Sequence, residues 1–468
     1  MLSAVISILL TSQGSNALYI PQGKNADVSL IGTQEKILPY LAGSGPYFQY
    51  QADYGVPTSA PDGCQMTHVQ LVGRHGERYP SKSLGKKLFS TWYKISNYTA
   101  ASSNGSVSFL SEDYTFFIQD TNNLEKLTTP ENILDPINPY TGEMDAKKHA
   151  REFLASYGDL MENCTTFPVF CTSSRRVHDT AQFFIDALGD DFNATLEVIS
   201  EEPSAGANTI AALNSCPAWN ESTYSNVTDS YSDDYLQEIS SRLNNDNKGL
   251  NLTSDDAYNL FSWCAFEINV RGYSDVCNVF TPEELVHFQY YDDLTSYYQM
   301  GPGYPIIQSV GANLLNASVK LLKESDTAQQ KAWMSFTHDT DIVNYMTTIG
   351  LFDNGEQLDP SGVTFVNNIY HKSWMTPQGA RLYTQKYQCS NESYVRYVLN
   401  DKVIPLMSCS DGPGFSCPIN EFYDYAEGRM NGTNFYNDCE VQQVSNTTEL
   451  TFYWDYKNTT YNATLLDQ

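Results

Sequence analysis

The chain has 468 residues, with 27 Lys or Arg against 55 Asp or Glu, for a net charge of −28. That balance excludes nucleic acid as a partner, because phosphate backbones are bound by net-positive surfaces; it suits a soluble protein in an acidic medium, where protonated carboxylates relieve self-repulsion. An apolar fraction of 41 % excludes disorder, and at about 100–200 residues per domain the length predicts two or three folding units.

Residues 1–17 read as a secretory signal, with an apolar core from Ala4 to Leu10 and a small-x-small cleavage site at Ser15-Asn16-Ala17. No other stretch approaches the ~18 apolar residues of a membrane span. No apolar tail follows Trp454, which argues against a lipid anchor. Ten cysteines occur without any Cys-x-x-Cys spacing, so disulfides are expected and metal binding is not. Thirteen Asn-x-Ser/Thr sequons are spread along the chain, at Asn97, Asn104, Asn163, Asn193, Asn220, Asn226, Asn251, Asn316, Asn391, Asn431, Asn446, Asn458 and Asn462. Together they predict a glycan-coated, secreted protein, extracellular, periplasmic or held at a cell wall.

Residues 18–60 are rich in Gly and Pro and carry no recognisable chemistry. They read as an arm over the body or over a neighbouring subunit, which leaves a homo-oligomer open. The first core strand is expected over Thr67 to Val72. It runs into Arg74-His75-Gly76-Glu77-Arg78-Tyr79-Pro80, where Gly76 lets the chain turn and Pro80 stops it. Two guanidiniums flanking an imidazole at a strand end are costly to bury unless an anion sits between them.

Residues 83–165 read as mainly helical. Ala146 to Tyr157 places Ala150, Phe153, Leu154 and Tyr157 on one face, with Lys147, Lys148, His149 and Arg151 on a solvated remainder. A second strand is expected over Phe167 to Cys171. The polar loop Thr172 to Arg176 follows, then a helix on Val177, Ala181, Phe184, Ile185 and Leu188 that ends at Gly189. Residues 203–305 are polar, with helical pieces at Leu236–Leu243 and Ala257–Phe266, and a further helix runs from Ile306 to Leu322. A third strand, Ala332 to Thr337, runs into His338-Asp339. The helical stripe Ile342, Val343, Met346, Ile349 follows, capped by Asp339 or Thr340. Ala380–Gln388 and Tyr394–Leu399 alternate as strands completing the sheet, and Glu449–Trp454 reads as an edge strand.

Three strands thus end in Arg74-His75-x-x-Arg78, Arg176 and His338-Asp339. In an open α/β sheet, ligands bind beyond the carboxyl ends of the strands, and helix N-termini there favour anions. Arg74, Arg78, Arg176 and His338 can hold one phosphate. His75 can attack it to form a phosphohistidine, and Asp339 can protonate the leaving oxygen. No metal or other cofactor is required, because the arginines supply the electrostatics. Cations around His75 keep it a free nucleophile at low pH, and Asp339 must be protonated to act, so an acidic optimum is expected.

Arg74-His-Gly-Glu-Arg-Tyr-Pro80 resembles the Arg-His-Gly-x-Arg-x-Pro signature of histidine acid phosphatases, and His338-Asp339 resembles their distal His-Asp pair. The resemblance covers essentially the whole mature chain. It is strongest to the secreted repressible acid phosphatases and phytases of budding yeasts, which Asn138-Pro-Tyr-Thr-Gly-Glu143, Phe261-Ser-Trp-Cys-Ala-Phe266 and Phe336-Thr-His-Asp-Thr-Asp341 also resemble. It implies a phosphoglycerate-mutase-like α/β fold, a mixed sheet flanked by helices with an α-helical cap inserted. On that division 18–82, 166–202 and 306–468 form the α/β domain, and 83–165 with 203–305 form the cap. It implies His75 as nucleophile, Asp339 as proton donor and Arg74, Arg78, Arg176 and His338 as phosphate binders. It further implies the disulfides Cys64–Cys389, Cys216–Cys439, Cys264–Cys277 and Cys409–Cys417. Cys164 and Cys171 fall outside that pattern, as a fifth bridge or as two free thiols.

The expected function is therefore hydrolysis of small phosphate monoesters at low pH, with phytate, an inositol polyphosphate, as the alternative substrate. A phosphoglycerate-mutase-like phosphotransferase would share the nucleophile, but the signal and the sequons argue against it. A catalytically silent cell-wall glycoprotein would have lost at least one of the six site residues, and all six are present. Asp341 is an alternative proton donor. Glu77 reads as a structural partner for an arginine, Lys82, Lys86 and Lys87 as a solvated helix face, and His68, His149, His287 and His371 as structural.

Overall fold

The computed structural model describes residues 34–51, 54–99, 105–110, 114–161, 166–363 and 368–466. The signal segment, Cys164 and the sequons Asn104 and Asn163 lie outside the described residues. Eight strands form one sheet: β1 (Cys64–Arg74), β2 (Phe167–Thr172), β3 (Ala194–Ile199), β4 (Ala332–Thr337), β5 (Arg381–Cys389), β6 (Glu392–Leu399), β7 (Lys402–Ile404) and β8 (Cys417–Pro418). Their order is β3-β2-β4-β1-β5-β6-β7, with β8 beside β6.

Strands β3, β2, β4 and β1 are mutually parallel, and β1 pairs antiparallel with β5. The sheet is therefore mixed, and all four parallel strands deliver their carboxyl ends to one edge. Strands β2, β4 and the carboxyl half of β1 are buried on both faces, which explains why they read as continuous apolar runs.

Among the described residues the α-helices are α1 (Lys82–Thr99), α2 (Gly142–Tyr157), α3 (Arg175–Leu188), α4 (Ser225–Thr228), α5 (Asp234–Asp246), α6 (Ser254–Arg271), α7 (Pro282–Met300), α8 (Ile306–Glu324), α9 (Asp339–Ile349), α10 (Lys372–Met375), α11 (Ile419–Met430), α12 (Phe435–Asp438) and α13 (Phe452–Asp455). Helices α2 and α3 cover one sheet face, where Ala150, Phe153, Val177 and Phe184 share a core with Val69, Leu71, Val169 and Met334. Residues from α8 and α9 cover the other, where Leu315, Ile342 and Val343 join a larger core with Phe170 and Trp333. That core continues through Leu260, Trp263 and Leu294 of α6 and α7. So α2 belongs by packing to the sheet, although it lies in the stretch grouped above with the cap. Among the described residues no helix is long and apolar enough to cross a membrane.

Two local readings are overturned. Glu449–Trp454 is not an edge strand, because Phe452–Asp455 forms one helical turn. Phe452 and Tyr453, adjacent in sequence, both pack on Phe170, at ring-centre distances of 5.2 and 5.0 Å. A strand would send neighbours to opposite faces; a helical turn sends both inward. His149 is also buried, 4 % exposed, with its ring 2.5 Å from the Tyr383 hydroxyl. It lies one helical turn before Phe153 and so shares the apolar face.

The four family-implied disulfides are present. The candidate partner Cys164 lies outside the described residues, and Cys171 is a free, buried thiol. Its side chain points from β2 into the core between the sheet and α3. All eleven described sequon asparagines are exposed.

Candidate active site

Register places the site. Arg74 is paired with Thr337 across β1 and β4, so the residues that follow, His75 and His338, emerge side by side. Their imidazoles meet edge to face with ring centres 5.8 Å apart. The β2 end, paired with β4 through Cys171 and Phe336, brings the first turn of α3 and Arg176 alongside. Arg176 Nη2 lies 3.3 Å from Nδ1 of His338, whereas Arg175 is exposed.

The backbone at His75 is pinned on three sides. Its N–H donates to Thr337 O at 3.0 Å, its carbonyl accepts from Gly379 N–H at 2.8 Å, and the Arg74 N–H donates to Ala380 O at 2.7 Å. His75 Nδ1 is 2.9 Å from the Gly76 carbonyl, which only a protonated nitrogen can satisfy. Nε2 is thereby left with the lone pair. Burial, and then the charges of Arg74, Arg176, Arg78 and His338, hold the His75 imidazole well below its ordinary pKa. The leading cause is thus desolvation, with the cations adding to it.

Segments far apart in sequence close this loop from beneath. A Cβ on Gly76 would lie 2.8 Å from the Cα of Gly142, and one on Gly142 would lie 2.5 Å from the Glu77 carbonyl. The guanidinium of Arg78 sits 5.5 Å from the ring centre of Phe266 on α6. The motifs Asn138–Glu143 and Phe261–Phe266 therefore serve the same loop.

Arg74 is buried, and its Nη1 donates to the carbonyls of Gly43 and Thr376 at 2.7 and 2.6 Å. The Nε donors of Arg74 and Arg78 are buried without hydrogen-bond partners, the pattern expected where an anion completes a site. Burial, then Arg176 and Arg74, lower the Arg78 guanidinium to about 9. Asp339 lies 3.5 Å from Arg74 Nη2 and 3.5 Å from Lys372 Nζ. Burial raises its carboxyl, but Arg74, Lys372, His338 and Arg78 outweigh burial and hold it well below the ordinary range.

Asp341 has other work. It accepts from the Thr337 hydroxyl and, at 3.4 Å, from the His338 N–H, so it caps α9 from its third residue. The cap position itself is His338, not Asp339 or Thr340. Burial pushes the Asp341 carboxyl up to about 7. Glu77 is buried too. Its Oε1 accepts from the Tyr47 N–H at 2.8 Å, and no arginine pairs with it directly among the described contacts.

Two site residues were missed in the sequence. Glu201, just past β3, lies 3.0 Å from His338 Nε2 and accepts the Ser174 N–H at 2.8 Å. Burial raises its carboxyl, but the contacts from His338, Thr172 and Ser174 pull it down to about 2. It occupies the carboxyl end of the fourth parallel strand, and that position was the available signal. Lys372 also reaches Asp292, at 3.6 Å, and bridges α7 to Asp339. No local pattern marks it.

The sequence model of the histidine phosphatase superfamily (branch 2) matches residues 65–400. The chain belongs to that family. It is 58 % identical to a repressible acid phosphatase of Saccharomyces cerevisiae over 468 residues, 100 % of each chain. It is 43 % identical to a phytase of Candida albicans over 437 residues, covering 92 % of this chain and 93 % of that one. Among solved structures, the phytase from D. castellii is similar with a TM-score of 0.88 and 40 % identity, covering 97 % of this chain and 98 % of that one. In this histidine phosphatase the family signature and the distal His-Asp pair thus meet at one sheet edge.

Proposed function

We propose that this histidine phosphatase is a secreted acid phosphatase that hydrolyses phosphate monoesters through a phosphohistidine at His75. One observation carries the reading: Nδ1 of His75 is tied to Gly76, so a lone pair on Nε2 stands among the guanidiniums of Arg74, Arg78 and Arg176. The guanidiniums hold the phosphate oxygens and neutralise their charge. Nε2 attacks phosphorus in line. As the P–O ester bond breaks, its electron pair goes to the alcohol oxygen, which takes a proton from Asp339. The ionised Asp339 then accepts a proton from water as the water attacks phosphorus. The N–P bond breaks, its pair returns to Nε2, and orthophosphate leaves.

Asp339 is held ionised by its cations in the free protein, so its proton must arrive with the substrate. A phosphate monoester with a second pKa near 6 is a monoanion at lower pH. It carries one proton in, and its charge offsets the cations that hold Asp339 down. Acidic pH therefore favours the reaction through the substrate as well as through the carboxyl. His338 has both nitrogens engaged, by Arg176 and Glu201. To join the phosphate, its Nδ1 must carry a proton and Arg176 must turn from the ring to the oxygens.

The extracellular assignment is supported by four disulfides and eleven exposed sequons. The second reading, a phytase, draws support from Lys82 and Lys126, which line a cavity of about 510 Å³ beside Arg176. The test is a comparison of hydrolysis rates on phytate and on a simple aryl phosphate from pH 3 to pH 6. Monoesterase activity that disappears in His75→Ala is expected; a rate that rises steadily from pH 4 to pH 8 contradicts the reading.

A further inference from the structure

We propose that Glu125 selects the alcohol half of the substrate: its carboxylate accepts a hydroxyl of a polyol monophosphate and disfavours a second phosphate at the same place. The inference rests on the phosphomonoesterase reading above and names its substrate class.

Glu125 lines the cavity of about 510 Å³ that opens on Arg176. It adopts φ +73°, a left-handed conformation uncommon for a side-chain-bearing residue and one that persists only where its surroundings enforce it. They do so here. The Glu125 N–H donates to Pro80 O at 3.0 Å, and its Oε1 accepts the Lys82 N–H at 2.9 Å. The next residue, Lys126, accepts the Tyr79 N–H on its carbonyl at 2.9 Å. The segment is thus stitched to the loop that carries His75 and Arg78.

The held carboxylate has one oxygen left over. Oε2 is buried and has no hydrogen-bond partner. A carboxylate oxygen removed from water without a donor is costly, so such a group in a cavity calls for a donor from a ligand. Its charge reaches the phosphate binders, since it favours the charged forms of both Arg78 and Arg176. Lys82 and Lys126 line the same cavity but are exposed, so water screens their charges.

A monoester of a polyol carries hydroxyls on the carbons next to its phosphate, and a hydroxyl is the donor that Oε2 lacks. A phosphorylated neighbour offers instead a group with up to two negative charges to a desolvated anion. Glu125 therefore favours polyol monophosphates over their polyphosphorylated forms.

The test uses inositol monophosphate and inositol hexakisphosphate as paired substrates, at pH 5, for the full chain and for Glu125→Gln. The amide oxygen of Gln can still accept the Lys82 N–H, so the loop is retained. The expected result is at least a tenfold shift of the kcat/KM ratio toward the hexakisphosphate, carried by its KM, with Glu125→Asp restoring more than half of the wild-type preference. A ratio that moves less than threefold, or toward the monophosphate, overturns the inference. If Glu125→Gln does not fold, the wild-type chain decides: preference for the monophosphate supports the inference, and preference for the hexakisphosphate overturns it. Failure of the wild-type chain to hydrolyse either ester is a different outcome, which overturns the phosphomonoesterase reading on which the inference rests.

Discussion

Glu201 Oε1 lies 3.0 Å from Nε2 of His338, and the same oxygen takes the Ser174 N–H that precedes α3. One carboxylate thus orients the distal imidazole and fixes the turn that presents Arg176. Glu201→Ala removes charge-assisted hydrogen bonds from a buried site, at a cost of about 1.5–3 kcal/mol per bond. We expect a fall in unfolding temperature and a 10- to 100-fold loss of kcat/KM, the usual scale for a residue that orients a reacting group. The stability contribution has a defined pH window. The Glu201 carboxyl is depressed to about 2 in the fold, so its contribution is full above the unfolded carboxylate value and is lost as pH falls through about 2. Denaturant titrations at pH 5 and pH 2.5 should show the wild-type advantage over Glu201→Ala shrinking at the lower pH.

Lys372 holds Asp339 ionised in the free protein from 3.5 Å away. In Lys372→Met the Asp339 carboxyl rises, and the proton donor stays protonated to higher pH. The alkaline limb of the kcat profile, which reports groups in the substrate complex, should therefore move upward, by about one unit for the loss of one cation at this distance. A limb that moves downward or stays fixed contradicts the role assigned to Asp339.

Glu77 provides a second pH signature, of opposite sign to Glu201. Burial, then the charge of Asp145, pushes its carboxyl up to about 8. The folded state therefore prefers it protonated. Its stabilising contribution is full below the unfolded carboxylate value and is lost as pH rises toward 8. Glu77→Gln keeps an acceptor for the Tyr47 N–H, so it should match wild type in unfolding temperature at pH 4.5 and exceed it at pH 7.5. The buried His68, lowered to about 3 by burial, favours higher pH, which is why the variant comparison and not the wild-type profile isolates Glu77.

Gly76 cannot be enlarged. Its Cβ would meet backbone atoms of Gly142 at 2.8 and 2.9 Å, and backbone cannot step aside as a flexible side chain can. Gly76→Ala should displace the His75 loop, at an overpacking cost of about 1–3 kcal/mol, and lower kcat far more than it raises KM. Steady-state kinetics on an aryl phosphate check the split.

Much of this site was readable in the sequence because it sits where apolar runs stop. Val69–Val72, Phe167–Cys171 and Ala332–Thr337 announce buried parallel strands, and the charged residues directly after each one share a sheet edge. Glu201 escaped because β3 is half-buried at its start and its Ala-Thr-Leu-Glu-Val-Ile run lacks that contrast. Lys372 escaped because it follows no strand, and its role exists only through Asp292 of α7 and Asp339 of α9. The carbonyls of Gly43 and Thr376 that hold Arg74 are backbone atoms, which no residue pattern reports. Phe452 was misplaced because a short mixed stretch does not declare its period, whereas His149 lies in a helix whose period was read correctly and was assigned to the solvated side for its polarity, although it stands four residues before Phe153.

The central claim is that His75 Nε2 takes the phosphoryl group. The direct measurement is an alkaline quench of the enzyme in turnover with a labelled monoester, followed by mapping of the labelled peptide. Phosphohistidines survive the quench, and the account predicts label on Nε2 of His75, with neither label nor turnover in His75→Ala. Wild-type turnover in that variant, or label on another side chain, would contradict it.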